Sequence, residues 1–175
     1  MRQAEIKRTT AETNITISLD LDGSGRADLD YPIGFIKHML NTFAKHGLFD
    51  LAVKAGGDLD VDQHHLVEDT GIVLGQCFAK ALGDKRGIVR AGSCLYPMDE
   101  TLARAAVDVS GRAFLVFDAQ LSGVPLIMAP AGESSVQGKS AALPQESFRT
   151  DTVEDFWQGF VSAAAITLHL EILHG

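Results

Sequence analysis

One stretch of this chain occurs twice. Glu12-Thr13, followed by Ser18-Leu19-Asp20-Leu21-Asp22-Gly23, is answered at a constant offset of 88 by Glu100-Thr101 and then Ala106-Val107-Asp108-Val109-Ser110-Gly111. Such a repeat implies two copies of one supersecondary unit, each carrying an apolar face that the other helps to bury. Within the copies, Ile15, Ile17, Leu19, Leu21 and Ala103, Ala105, Val107, Val109 alternate with the period of two that marks a half-buried strand. Each copy is therefore expected to open with a pair of strands.

After the first pair the period changes to that of a helix. Phe35, Met39, Leu40 and Phe43 form one stripe over 35–46, with His38 on the polar side and Gly47 as the stop. In the second copy Asp151 reads as an N-cap with Glu154 three residues on, and Val153, Phe156, Trp157, Phe160, Val161 and Ala164 form the stripe. Superposing Met39, Leu40 and Phe43 on Phe156, Trp157 and Phe160 sets Asp155 opposite His38. A strand follows each helix, at 48–54 and 166–173.

The first copy continues into a second helix over 63–82. It turns Leu66, Val73, Leu74, Cys77, Phe78 and Ala81 inward, while Gly71 and Gly75 admit a close neighbouring helix. The expected fold is thus α+β: duplicated ββαβα units with helices packed between two mostly antiparallel sheets. Residues 1–90 would be the first unit and 91–175 the second, with an inserted Ser-, Gly-, Ala- and Pro-rich loop over 118–150. Within that loop Gly132 to Ser140 has five residues between its glycines where a phosphate-binding P-loop has four, and it is read as plain loop. The second unit lacks its last helix. The counterpart of His64, 26 residues beyond Asp155, would fall near position 181, past Gly175, leaving the Phe156, Trp157, Phe160 stripe under-covered.

At 175 residues and 46% hydrophobic the chain can bury a core without a disulfide scaffold. Its two cysteines, Cys77 and Cys94, read as reduced packing residues. A net charge of −8 without a basic stripe argues against nucleic acid as partner. No apolar run approaches a membrane span and the first eight residues are polar, so a cytoplasmic location with no membrane partner is expected.

The chemistry concentrates in Asp62-Gln63-His64-His65-Leu66-Val67-Glu68-Asp69. On a helix, residues four apart share a face and adjacent ones diverge by about 100°. His64 and Glu68 can therefore converge on one divalent ion while His65 turns toward another. Neither ligand set is complete, because such ions take four to six ligands. The competing reading is a polar helix start with Asp62 as N-cap and solvated histidines.

Taken in order, Glu12-Thr13, His38-Met39-Leu40, His46-Gly47-Leu48-Phe49-Asp50, His64-His65 with Glu68-Asp69, Leu82-Gly83-Asp84-Lys85 with Gly87-Ile88, Asp99-Glu100, Asp108 with Ser110-Gly111-Arg112, and Thr167-Leu168-His169 resemble the imidazoleglycerol-phosphate dehydratases. The match runs over almost the whole chain, with the inserted loop as the main uncovered segment. It implies a duplicated fold similar to the second domain of ribosomal protein S5. The activity it implies is that of a hydro-lyase of histidine biosynthesis, which removes water from imidazole glycerol phosphate to give imidazole acetol phosphate. It also implies Mn²⁺ at two sites shared between subunits of a trimer-based octahedral homo-oligomer.

By the same resemblance His38, His64, His65, Glu68 and Asp155 are metal positions, and Glu12, His65 and Glu68 are catalytic. Glu12, His46, Arg90 and Arg112 contact the substrate, the arginines through its phosphate. Each of these has a plainer reading. Glu12 could sit at a strand turn, Arg90 and Arg112 could be surface charges, and His46 could be a cation at a helix C-terminus. His169 reads as structural. The chain departs from the family at Lys37, where an aspartate is usual, and at Asp155, where a histidine is. A second His-His-x-x-Glu is expected beyond Gly175, and the 175-residue chain alone is expected to be inactive. The alternative is a non-catalytic metal-binding paralogue or assembly subunit of the same fold.

Overall fold

The computed structural model describes residues 2–121, 126–127 and 147–175. The inserted loop lies mostly outside the described residues, its Gly132 to Ser140 stretch entirely so. The chain opens with β1 (Gln3–Thr9), β2 (Thr13–Asp20) and β3 (Ala27–Asp30), then α1 (Gly34–Gly47), β4 (Asp50–Gly57) and α2 (His64–Leu82). It continues with β5 (Ala91–Met98), β6 (Thr101–Asp108), β7 (Phe114–Asp118), β8 (Leu126–Ile127) and β9 (Ser147–Phe148), and closes with α3 (Thr152–Ala164) and β10 (Thr167–His174). β8 and β9 pair with each other.

Two four-stranded sheets carry the repeat, in the orders β1-β2-β4-β3 and β5-β6-β10-β7. In each the fourth position is a short strand that runs parallel to its neighbour, the other pairings being antiparallel. These parallel strands are the difference from the expected ββαβα order, which becomes βββαβα in the first unit. β3 contributes only Ala27 and Leu29 toward the helices, and two apolar positions are too few for an alternation to register.

The correspondence between copies extends to hydrogen-bond detail. β2 and β6 begin 88 positions apart, whereas α1 and α3 end, and β4 and β10 begin, 117 apart, so 29 residues enter between β7 and α3. Both helices stop on a left-handed residue that is not glycine, Leu48 (φ 56°) and Ala165 (φ 51°). Their amides donate to Ala44 O and Val161 O. Such a residue costs about 1 kcal/mol against glycine. Gly47, expected as the stop, is the last helical residue instead. Its missing Cβ would lie 2.5 Å from the Phe49 ring, which packs on Phe43 at 5.1 Å between centroids.

α2 lies across β1, β2 and β4 and against α3. Ile15, Ile17 and Leu19 of β2 and Leu66, Val67, Val73 and Leu74 of α2 are almost wholly buried there. Each such side chain contributes about 1.5–3 kcal/mol of hydrophobic stabilisation. α2 and α3 cross backbone to backbone. A Cβ on Gly71 would lie 2.2 Å from Phe156 O, one on Gly75 2.4 Å from Phe160 O, and one on Gly159 2.9 Å from Glu68 O. Between α1 and α3 the packing is open, with an apolar cavity of about 310 Å³ bordered by Phe35, Met39, Phe43, Phe156 and Trp157. Phe160 is buried, and Phe156 and Trp157 are partly buried. Every residue of β5 is exposed.

The β2–β3 turn is tied to β4 by Asp50, which accepts the Ser24 amide (2.7 Å), the Arg26 amide (3.1 Å) and the Arg26 guanidinium (Nε, 3.0 Å). Gly23 fits because a Cβ there would lie 2.2 Å from the Asp50 amide nitrogen. The guanidinium, with the two amides, holds the Asp50 carboxyl well below the ordinary carboxylate range.

Gly71→Ala should lower unfolding free energy by about 1–3 kcal/mol in denaturant titration, because the methyl meets a fixed carbonyl. Gly56→Ala, with open space around the added carbon, should be near neutral; equal effects would contradict the crossing. A group whose folded pKa is depressed stabilises above its unfolded pKa and loses that contribution as pH falls toward the folded one. The stability gap between wild type and Asp50→Asn should therefore be full above about pH 5 and shrink on acidification through and below 3.8.

Candidate metal and substrate site at the start of α2

The site forms where the loop after β4 enters α2. Gln63 occupies the N-cap position but its side chain makes no cap bond to the helix, and Asp62, expected there, lies one residue earlier. Asp62 still accepts an orphan amide of the first turn, His64 N–H, at 2.7 Å. Arg149 braces this turn from the opposite side of the chain: its Nη1 lies 3.3 Å from Asp62 Oδ2, and its amide donates to Gln63 Oε1 at 3.2 Å. Arg149 also takes the Asp151 carboxylate through Nε at 3.1 Å. Asp151 therefore makes no side-chain cap bond to α3, and the expected capping box with Glu154 does not form. A charged fork outcompetes a neutral amide for a carboxylate.

The two histidines diverge. Their rings are 6.0 Å apart and 85° to each other. His64 Nε2 is 3.4 Å from Glu68 Oε2 on its own helix, and its Nδ1 is 3.2 Å from Asp155 Oδ2 on α3. His65 turns the other way, with Nδ1 3.0 Å from Asp58 Oδ2. The bond to Asp58 holds the His65 pKa above its ordinary value against partial desolvation, helped by the charges of Asp58, Asp62 and Glu12. An anchor lies just beneath: Asp69, almost fully buried, accepts Thr13 Oγ1 at 2.5 Å and Arg8 Nε at 3.0 Å. That ion pair and hydroxyl fix the second turn of α2 to β1 and β2.

The other expected positions are distributed. Glu12 sits in the β1–β2 turn, its amide taken by Thr10 Oγ1 (3.1 Å) and its carbonyl by the Asp58 amide (3.0 Å), so its carboxylate lies in the field of His65. His38 is exposed on α1, beside a shallow depression with Asp28, Lys37 and Asn41 and apart from the α2 histidines. His46, in the last turn of α1, meets the Tyr96 ring edge-on at 6.4 Å. Arg90 is bidentate with Asp108, at 2.6 and 2.8 Å, which leaves guanidinium N–H groups still directed outward. Arg112 is exposed, and its charge acts on the same Asp108. His169 lies on β10, paired with Ala106 and Val116.

His64 Nε2 and Glu68 Oε2 are spaced as adjacent ligands of one six-coordinate ion, whose metal–ligand bonds of about 2.1–2.3 Å put neighbours about 3 Å apart. Imidazole with carboxylate suits a borderline or hard divalent cation. Among the described residues no three His, Cys, Asp or Glu side chains are disposed to hold one ion within a single chain.

This arrangement, a duplicated two-sheet fold with histidine and carboxylate at the entry to its central helix, has close relatives. Residues 32–175 match the sequence pattern of imidazoleglycerol-phosphate dehydratase. The enzyme of that name from Lactiplantibacillus plantarum is 53% identical over 175 residues, covering 100% of this chain and 80% of the relative, and that from Methylorubrum populi is 50% identical with the same coverage. The crystal structure of imidazoleglycerol-phosphate dehydratase from Staphylococcus aureus superposes with a TM-score of 0.76 at 34% identity, over 99% of this chain and 85% of that one. The Pyrococcus furiosus enzyme, in complex with (S)-C348, gives 0.72 at 26% identity, over 97% and 80%. The chain belongs to the imidazoleglycerol-phosphate dehydratase family.

Sequence reasoning passed over Asp58, Arg149 and the Arg8–Thr13 partnership of Asp69. Asp58 and Arg149 act from irregular segments without periodicity, and neither the polar start that holds Arg8 nor the repeat that holds Thr13 points to Asp69. Asp69→Ala leaves a half-buried guanidinium and a hydroxyl without their acceptor. It should cost about 1–3 kcal/mol in denaturant titration, and a change below 0.5 kcal/mol, roughly that of an ordinary surface substitution, would show the anchor to be idle.

Proposed function

We infer that the start of α2 supplies the histidine and carboxylate ligands of a dehydratase acting on imidazole glycerol phosphate, a lyase of histidine biosynthesis. The observation that carries this reading is the divergence of His64, with Glu68, from His65, in a chain of this family. Dehydration takes the hydroxyl from the carbon beside the imidazole ring and a proton from the next carbon, which keeps its own hydroxyl. The two leave as water, and the resulting enol becomes the ketone imidazole acetol phosphate.

Manganese, when bound, would favour the deprotonated, electron-rich form of the substrate's ring, whose electrons help the adjacent hydroxyl to leave. His64 with Glu68 would hold one ion and His65 another, with His38 and Asp155 as further ligands. The separation of His38 and His65 from the His64, Glu68 and Asp155 group supports sites completed by neighbouring subunits, in the trimer-based octahedral homo-oligomer that the resemblance implies. Glu12, in the field of His65, would engage the glycerol hydroxyls and serve in proton transfer. Arg90, oriented by Asp108, and Arg112 would bind the phosphate dianion, and His46 would add a substrate contact. No helix among the described residues is long and apolar enough to cross a membrane, and we place the enzyme in the cytoplasm.

The test is formation of imidazole acetol phosphate by the full-length gene product with added Mn²⁺, beside a count of bound metal. Turnover in the wild type and its loss together with bound Mn²⁺ in His65→Ala are expected. Metal binding without turnover would identify a non-catalytic assembly subunit instead. Arg112→Ala should raise KM by about tenfold or more, the worth of a charge-assisted hydrogen bond, with metal content intact. Loss of metal in that variant would make Arg112 structural.

A further inference from the structure

We propose that Asp58 is a positioning residue for His65: it locks the imidazole as the Nδ1–H form and so presents the Nε2 lone pair to the metal. The inference rests on the metal reading given above and adds a residue that is itself no ligand.

The geometry leaves little freedom. Asp58 Oδ2 and Oδ1 lie 3.0 and 3.3 Å from His65 Nδ1. An ionised carboxylate only accepts hydrogen bonds, so Nδ1 must carry the proton, and in the neutral ring the lone pair is then on Nε2. A free imidazole has no such constraint. Asp58 is itself pinned along the backbone, its amide donating to Glu12 O at 3.0 Å and its carbonyl accepting the Val61 amide at 2.8 Å. One residue thus ties the turn carrying Glu12 to the orientation of His65. A carboxylate behind a ligating imidazole fixes its tautomer and ring plane and raises its basicity. His64 has a different arrangement, with a carboxylate facing each ring nitrogen, which makes His65 the histidine whose ligating atom is already assigned.

The test uses full-length protein labelled with ¹⁵N-histidine, stripped of metal and held at a pH where His65 is neutral. Nitrogen shifts and couplings should report Nδ1–H for His65 in the wild type. They should report a shift toward Nε2–H in Asp58→Ala, and partial retention of Nδ1–H in Asp58→Asn, whose amide oxygen still accepts. Titration with Mn²⁺ alone, followed by electron paramagnetic resonance, should show affinity weakened about 10–100-fold in Asp58→Ala, with Asp58→Asn in between. A wild-type His65 in the Nε2–H form overturns the proposal whether or not the variants fold, and so does unchanged Mn²⁺ affinity in a folded Asp58→Ala. Wild type that binds no Mn²⁺ overturns the metal reading and this inference together. A wrong tautomer with Mn²⁺ binding intact removes this inference alone.

Discussion

The backbone contact between α2 and α3 governs the arrangement of everything around the site. Gly71 and Gly75 on one helix and Gly159 on the other remove the Cβ atoms that would hold the axes apart, so carbonyls of Phe156, Phe160 and Glu68 approach the facing chain directly. Helices usually pack 8–10 Å apart, and small residues at the crossing allow the lower end of that range. α2 belongs to the first copy of the repeat and α3 to the second, so this crossing joins the copies. It also sets Asp155 beside His64, a juxtaposition that a wider separation would undo.

The carboxylates then divide the work according to where they sit. Asp69, buried between Arg8 and Thr13, anchors the helix to its sheet, while Asp62 takes the first helical amide and is braced by Arg149. Asp58 and Asp155 each face a histidine from outside its own helix. The net charge of −8 therefore has local meaning: a surplus of acceptors gathers around two imidazoles at the entry to α2. Such a surplus favours cations, protons or divalent metal alike.

How much of this could be read beforehand follows from the range over which each signal acts. The long amphipathic segments of α1, α2 and α3 repeat a period several times, and their positions were legible to within one or two residues. β3 and β7 were not, because strands of four or five residues offer too few alternations. Helix ends differed from expectation in detail, through neighbours only two residues away. Asp151 holds the N-cap position of α3 as expected, but its carboxylate is taken by Arg149, and α1 runs through Gly47 to stop on left-handed Leu48. Asp58 escaped notice because it lies seven positions before the imidazole it holds, across an irregular stretch of chain.

By itself, the sequence determined the duplication, the apolar faces, the helix bearing His64, His65 and Glu68, and the family. All of these depend on residue types at short, regular spacings along the chain. Only the tertiary structure decided what each polar group meets: that His65 faces Asp58 and His64 faces Asp155, that Arg90 is paired with Asp108, and that His38 stands apart on α1. The physical reason is directional. A hydrogen bond or ion pair depends on separations of a few tenths of an ångström between groups far apart in sequence, and those distances exist only once strands and helices have packed.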